Sequence, residues 1–391
     1  MTRAETDWPM VFLATAGGAA AAMHIGKAAA ALPLMQAELD VTLAHASVYL
    51  SMISACAALT GLAIGRAAAA IGVMRAGIIG LTLMGLASLA GSFAETAAGV
   101  LFARIVEAIG LPLVVTTMPA LVQNATTPND RPLALGLWAA WLPIGVALSM
   151  ALAFGILGDH GWRLFFAVCG GTSLALGGLL HLARHRVWVM SSAPPANRLP
   201  GIGHPLYRMA LVFLLFSAAN MIFMGFLPSV MIGAMHYDTG MATGLGFVCA
   251  LLLLPTNIAT GAAVGKGVRR LRLALISFAG IGLSGVAFLS SSLPDGMRIA
   301  AALTLATSTG IAPALVWSSV PPLAEDADIA PSIVAGVLYQ AAGLGQMLGP
   351  VVAGTIVGAT QDWEIAGLIL LACSLAALAI SWHSRKQPGF R

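Results

Sequence analysis

Four ionisable side chains, His24, Lys27, Arg104 and Glu107, lie well inside long apolar runs of the sequence. A charge at the centre of a membrane helix costs roughly 2.5–3.5 kcal/mol on insertion scales, so such residues are the first candidates for function. His24 and Lys27 are three residues apart, as are Arg104 and Glu107, which puts each pair on one face of a helix. Two permanent cations beside one carboxylate leave net positive charge, and a buried, unpaired cation attracts an anion. Arg104 can clamp a carboxylate through two parallel hydrogen bonds, with Lys27 as a point charge. Glu107 is the only acid within an apolar run and the leading candidate to carry a proton. A substrate anion and Glu107 compete for the same cations, so protonating Glu107 frees Arg104 for the substrate, a physical route to symport. The structural alternative is an Arg104–Glu107 pair that only neutralises itself, with Lys27 reaching towards water.

Further candidates are neutral. Asn220, Tyr339 and Gln340 are polar groups within apolar runs, and Trp138 and Trp141 can form an aromatic wall. Asn257, Trp317 and Gln346 belong to the same group. Against these stands a plain reading: membrane Asn and Gln often join helices, and Trp often marks an interface belt. Charge in the first part of the chain and neutral polar groups in the second suggest a small substrate with one anionic end.

What must position these residues follows from composition. Of 391 residues, 59% are hydrophobic and only 9% charged, with a mean hydropathy of +0.92 and a pI near 9.1. A soluble domain carries about 25% charged residues, so this chain could not cover a water-facing surface. Nucleic-acid binding needs a clustered basic face, and here the basic residues are scattered. The four cysteines, Cys56, Cys169, Cys249 and Cys373, fall in separate apolar runs and read as structural thiols. No metal set, Ser/His/Asp arrangement or nucleotide loop is evident, so neither an enzyme nor a cofactor is expected.

Apolar runs of spanning length occur at 10–34, 45–66, 73–94, 97–122, 133–157, 163–183, 208–234, 241–265, 272–292, 297–319, 332–358 and 364–383. The pattern predicts an all-α membrane protein of twelve helices, since barrel strands would alternate in period two. The first run exceeds a signal-peptide core and reads as an uncleaved span. Lys27, Arg104 and Glu107 come out at similar depth, each within about 9 Å of its helix midpoint on the same side. Of the 19 Lys and Arg, all but Arg163, Arg298, Lys27 and Arg104 fall on the side of the N-terminus. That bias places both termini in the cytoplasm.

The chain also repeats itself. The polar stretch around Ser191, Ser192, Pro194, Pro195 and Pro200 reads as a linker, 185–207, between six-helix halves at 1–184 and 208–391. Gly61 to Arg66 corresponds to Gly261 to Lys266, Gly136 to Gly145 corresponds to Gly336 to Gly345, and Trp162 answers Trp363. Three matches in order at a spacing near 200 argue for a duplicated unit.

Two six-helix halves with these motifs resemble the major facilitator superfamily of secondary transporters, over the whole chain. Gly61, Gly65, Gly72 and Arg75 hold their places in the loop signature after the second span, but Ala69 and Ala70 replace its acidic and basic pair. Arg104 with Gly110, Gly161-Trp162-Arg163 and Gly345-Gln346 to Gly349-Pro350 are also familial in form. The texture is nearest bacterial members of the cyanate and nitroimidazole permease group. The resemblance implies that the first and fourth spans line a central cavity with the seventh and tenth. At the 200-residue spacing, Thr304 and Thr307 stand where Arg104 and Glu107 do.

The expectation is a monomeric secondary transporter in a bacterial inner membrane. It moves a small, anionic solute by alternating access with proton coupling. A proton-driven drug efflux antiporter is the alternative, disfavoured because Trp141-Leu-Pro143-Ile-Gly145 lacks the GPxxGG pattern. A non-transporting membrane sensor is the third reading, kept open by the missing charges at Ala69 and Ala70.

Overall fold

The computed structural model describes residues 5–39, 43–186 and 199–391. Most of the linker expected at 185–207 therefore lies outside the described residues, as does the extreme N-terminus. Among the described residues there are helices and turns and no strand. Eleven helical stretches among the described residues are long and apolar enough to cross a membrane. One of them runs for 55 residues, Arg131–His185, and accounts for two crossings.

The helices are α1 (Trp8–Leu39), α2 (Leu43–Ile71), α3 (Val73–Ser92), α4 (Ala97–Ala125), α5 (Arg131–Ala139), α6 (Trp141–Leu182) and α7 (Pro205–Gly233). They continue with α8 (Thr239–Gly265), α9 (Arg270–Leu289), α10 (Asp295–Thr309), α11 (Ile311–Ser318), α12 (Val320–Ala327), α13 (Pro331–Thr360) and α14 (Glu364–His383).

The 42 residues of α6 would extend about 63 Å as one straight rod, twice the hydrocarbon thickness of about 30 Å. Gly161 interrupts it with φ 73° and ψ 177°, a conformation that glycine adopts without steric cost. The break falls between the fifth and sixth expected spans. Other interruptions lie four residues before a proline. Pro143, Pro313 and Pro322 cannot donate to the carbonyls of Ala139, Thr309 and Ser318, which are the last residues of α5, α10 and α11. Pro112, Pro119, Pro228, Pro255 and Pro350 are instead accommodated inside continuous helices.

The described residues divide into two compact units. The first comprises those of Met1–Arg198 with Asp328–Gln340, and the second those of Leu199–Ala327 with Ala341–Arg391. The first stretch of α13 joins the first unit because small residues allow a close approach. A Cβ on Gly65 would lie 2.6 Å from the Ser332 carbonyl oxygen, and one on Gly336 would lie 2.5 Å from that of Gly61. In the second unit α14 packs on α9 and α7, and α10 packs on α9 and α8.

Within the first unit, α1 packs most extensively on α6, while α4 packs on α3 and α2. The α1–α6 approach is as close as backbone allows. A Cβ on Gly145 would stand 2.1 Å from the Ala19 carbonyl oxygen, and one on Gly26 would stand 1.9 Å from Ser149 Oγ. Gly145→Ala should therefore lower the thermal unfolding midpoint, with a cost of about 1–3 kcal/mol from overpacking. Gly171, exposed and with nothing near its Cβ position, provides the control: Gly171→Ala should be neutral or slightly stabilising.

Candidate functional site

The tight α1–α6 seam holds one face of α1 deep in the first unit, beside a core of Met23, Ala28, Ala31, Met35, Phe165, Phe166 and Cys169. His24, Lys27, Arg104 and Glu107 are all buried there, none more than 2% exposed. The i,i+3 spacing on α1 and on α4 faces the two pairs towards each other.

Glu107 is the centre. Its Oε1 accepts from Lys27 Nζ at 2.5 Å and lies 3.2 Å from His24 Nδ1. Its Oε2 accepts from Arg104 Nη1 at 3.0 Å. Each cation is held from several directions. Lys27 Nζ also donates to Ser88 Oγ on α3 at 2.5 Å, and Ser88 donates on to the Phe166 carbonyl at 2.7 Å. Arg104 donates from Nη1 to the His24 carbonyl at 2.7 Å and from Nε to the Tyr49 carbonyl on α2 at 3.2 Å. Aromatic faces cover both charges: Lys27 Nζ lies 4.2 Å from the Phe166 ring centroid and Arg104 Cζ 4.8 Å from that of Tyr49. His24 Nε2 meets Ser173 Oγ on α6 at 2.8 Å.

The structure thus gathers His24, Lys27, Arg104 and Glu107 into one closed ion cluster. Two cations share one carboxylate, with net charge +1 when His24 is neutral. Five helices, α1, α2, α3, α4 and α6, contribute. Four partners escape a reading of the sequence: Tyr49, Ser88, Phe166 and Ser173. Their types are common in membrane helices, and only their neighbours in space distinguish them.

The other candidates lie elsewhere. Trp138 and Trp141 stack with centroids 5.6 Å apart, and a Cβ on Gly18 would stand 2.4 Å from the Trp138 ring. The pair therefore packs α5 and the start of α6 against α1. Tyr339 is buried on α13, while Gln340 packs on Gly61 and accepts from Leu62 N–H at 3.3 Å. In the second unit, Asn220 Oδ1 and Asn257 Oδ1 are buried without a hydrogen-bond partner among the described residues. Asn257 Nδ2 donates to the Leu253 carbonyl at 2.9 Å. Thr304 and Thr307 are exposed, and their hydroxyls bond to their own helix at Ala300 and Leu303.

A second polar group braces the break in α6. Glu38, at the end of α1, accepts from Trp162 Nε1 at 2.6 Å and pairs with Arg163, which also donates to the Ala94 carbonyl at 3.0 Å. The Trp162 hydrogen bond, followed by Arg163, holds the Glu38 carboxyl below the usual carboxylate range.

A family model described as Major Facilitator Superfamily matches residues 8–330. The chain is 27% identical over 319 residues to the 3-(3-hydroxy-phenyl)propionate transporter of Escherichia coli K12, covering 79% of this chain and 78% of that protein. It is 32% identical over 152 residues to the methyl viologen resistance protein SmvA of Salmonella typhimurium, covering 38% of this chain but only 30% of that relative. Among solved structures, that of the proton:xylose symporter XylE bound to 6-bromo-6-deoxy-D-glucose superposes with a TM-score of 0.76. It covers 96% of this chain and 95% of that one at 15% identity, a likeness of fold.

Proposed function

This chain belongs to the major facilitator superfamily of membrane transporters, and from that premise we propose that it carries a small organic anion together with a proton by alternating access. The single observation behind this reading is the position of the Glu107 carboxylate. It occupies Lys27 with one oxygen and Arg104 with the other, as the carboxylate of a substrate would. Replacing a buried ion cluster by apolar residues of similar volume is often neutral or stabilising. Fold stability alone therefore gives little reason to hold these four groups at membrane depth.

In the proposed cycle, protonation of Glu107 removes the internal anion and leaves two cations for the incoming one. One proton and one monoanion enter together, and the cluster returns to net +1. The relative named for 3-(3-hydroxyphenyl)propionate supports this class, since that compound joins a carboxylate to an aromatic ring. The proposal sets the protein in a bacterial inner membrane as a monomer of two pseudo-symmetric halves, with both termini in the cytoplasm.

The test uses purified protein in liposomes with labelled 3-(3-hydroxyphenyl)propionate and a panel of small monocarboxylates. An acid-outside gradient should drive accumulation, a protonophore should abolish it, and a potassium diffusion potential should leave it unchanged. Liposomes containing Arg104→Ala protein correct for passive diffusion of the neutral acid. Accumulation indifferent to the pH gradient would overturn proton coupling. Flux of methyl viologen without flux of any carboxylate would favour the efflux reading that the partial likeness to SmvA suggests.

A further inference from the structure

We propose that His24 is the proton relay to Glu107, and that Ser173 is the positioning residue that fixes the tautomer of its ring. This inference rests on the proton-coupled reading above. An ionised carboxylate can only accept hydrogen bonds, and a neutral imidazole has one donor and one acceptor nitrogen. The contact from His24 Nδ1 to Glu107 Oε1 at 3.2 Å therefore puts the ring proton on Nδ1. Nε2 is then bare, and the Ser173 hydroxyl, 2.8 Å away, donates to it.

The surroundings disfavour an imidazolium. His24 faces Glu107 from α4, with Arg104 on its backbone carbonyl, and Lys27 lies one turn further along α1. Cys169 and Ser173 face the cluster from α6, Tyr49 from α2, and Ser88 holds Lys27 from α3. A third cation would set three positive charges against one carboxylate.

The ring can nevertheless pass a proton without staying charged. A proton from hydronium binds Nε2, leaving water, as the Ser173 hydroxyl turns from donor to acceptor. The Nδ1 proton moves to Glu107 Oε1, leaving a neutral acid whose O–H donates back to Nδ1. The net change is one proton gained by Glu107 and one tautomer exchange at His24. The reverse sequence returns the proton and resets the ring. Proton transfer by a positioned side chain contributes roughly 10²–10⁴-fold to the rate of a step it assists.

The experiment follows both partners in the full-length protein in lipid nanodiscs. Infrared difference spectroscopy reads the protonated Glu107 carbonyl band, assigned by its loss in Glu107→Gln. Nitrogen NMR of labelled histidine reads the His24 tautomer, assigned by His24→Gln. At high pH His24 should carry its proton on Nδ1. Where the Glu107 acid band grows in, the His24 signal should pass to the Nε2–H form with no lasting imidazolium. An acid band that appears while His24 stays Nδ1-protonated, or becomes imidazolium, overturns the relay and leaves proton coupling intact. Absence of the acid band throughout the folded pH range overturns the coupling reading itself, and the relay with it. Ser173→Ala changes no charge and supplies a second readout. Proton-driven uptake of 3-(3-hydroxyphenyl)propionate should slow at least about tenfold more than its counterflow, whereas a purely structural role would reduce both alike.

Discussion

Glu107→Gln should lose about 3–5 kcal/mol of stability in carboxylate-free detergent, the usual cost of removing one partner from a buried ion pair. The loss should be largely reversed by a saturating carboxylate. The variant keeps the size of the side chain but leaves Lys27 and Arg104 facing each other without an anion. A ligand at about 100 times its dissociation constant contributes about 2.7 kcal/mol to the folded state, enough to restore most of the deficit. Wild-type protein at high pH should respond far less, because its own carboxylate fills the place. Thermal unfolding midpoints of both proteins, with and without 3-(3-hydroxyphenyl)propionate, supply the comparison. A Gln variant as stable as wild type, and no more responsive to carboxylate, would remove the competition at the heart of the proposal.

Arg104→Ala should lose carboxylate uptake at concentrations that saturate the wild type, and be destabilised through a different route. The guanidinium bonds two backbone carbonyls, of His24 and Tyr49, as well as Glu107, so its removal strands acceptors as well as a charge. Truncating one partner of a buried, hydrogen-bonded charge pair costs about 2–5 kcal/mol. At 1.4 kcal/mol per decade, that predicts affinity lower by about 30- to 4,000-fold. Arg104→Lys should not rescue it. A single ammonium cannot reach all three acceptors from one position, whereas the planar fork does. Initial uptake rates over a concentration series would show the loss, and restoration by Lys would reduce Arg104 to a point charge.

The sequence displays the fold because lipid permits few alternatives. Apolar runs of spanning length must be helical when no barrel pattern is present, and the breaks inside them sit at Gly161 and four residues before Pro143, Pro313 and Pro322. The core of the candidate site was equally plain. His24, Lys27, Arg104 and Glu107 stand out against their apolar surroundings, and helical spacing alone brings each pair to one face. Their partners are hidden by the same logic. Ser88 and Ser173 are two serines among many, and since most helix serines bond back to their own turn, nothing in the sequence marks these two as reaching Lys27, Phe166 and His24 on other helices. Trp138 and Trp141, conspicuous as aromatics, serve the packing of α1 against α5 and α6. Gly18, Gly26 and Gly145 set how closely α1 and its neighbours meet, and that seam holds His24 and Lys27 at the depth of Glu107.

Exchange of an internal for an external carboxylate at Lys27 and Arg104 fixes the number of protons taken up on ligand binding, and that number is measurable. Calorimetric titration of the wild-type protein with 3-(3-hydroxyphenyl)propionate, in buffers of different ionisation enthalpy, should give close to one proton taken up per anion bound. The same titration of Glu107→Gln should give none, with binding retained. Binding by both proteins with equal proton uptake, or by wild type with none, would contradict the exchange.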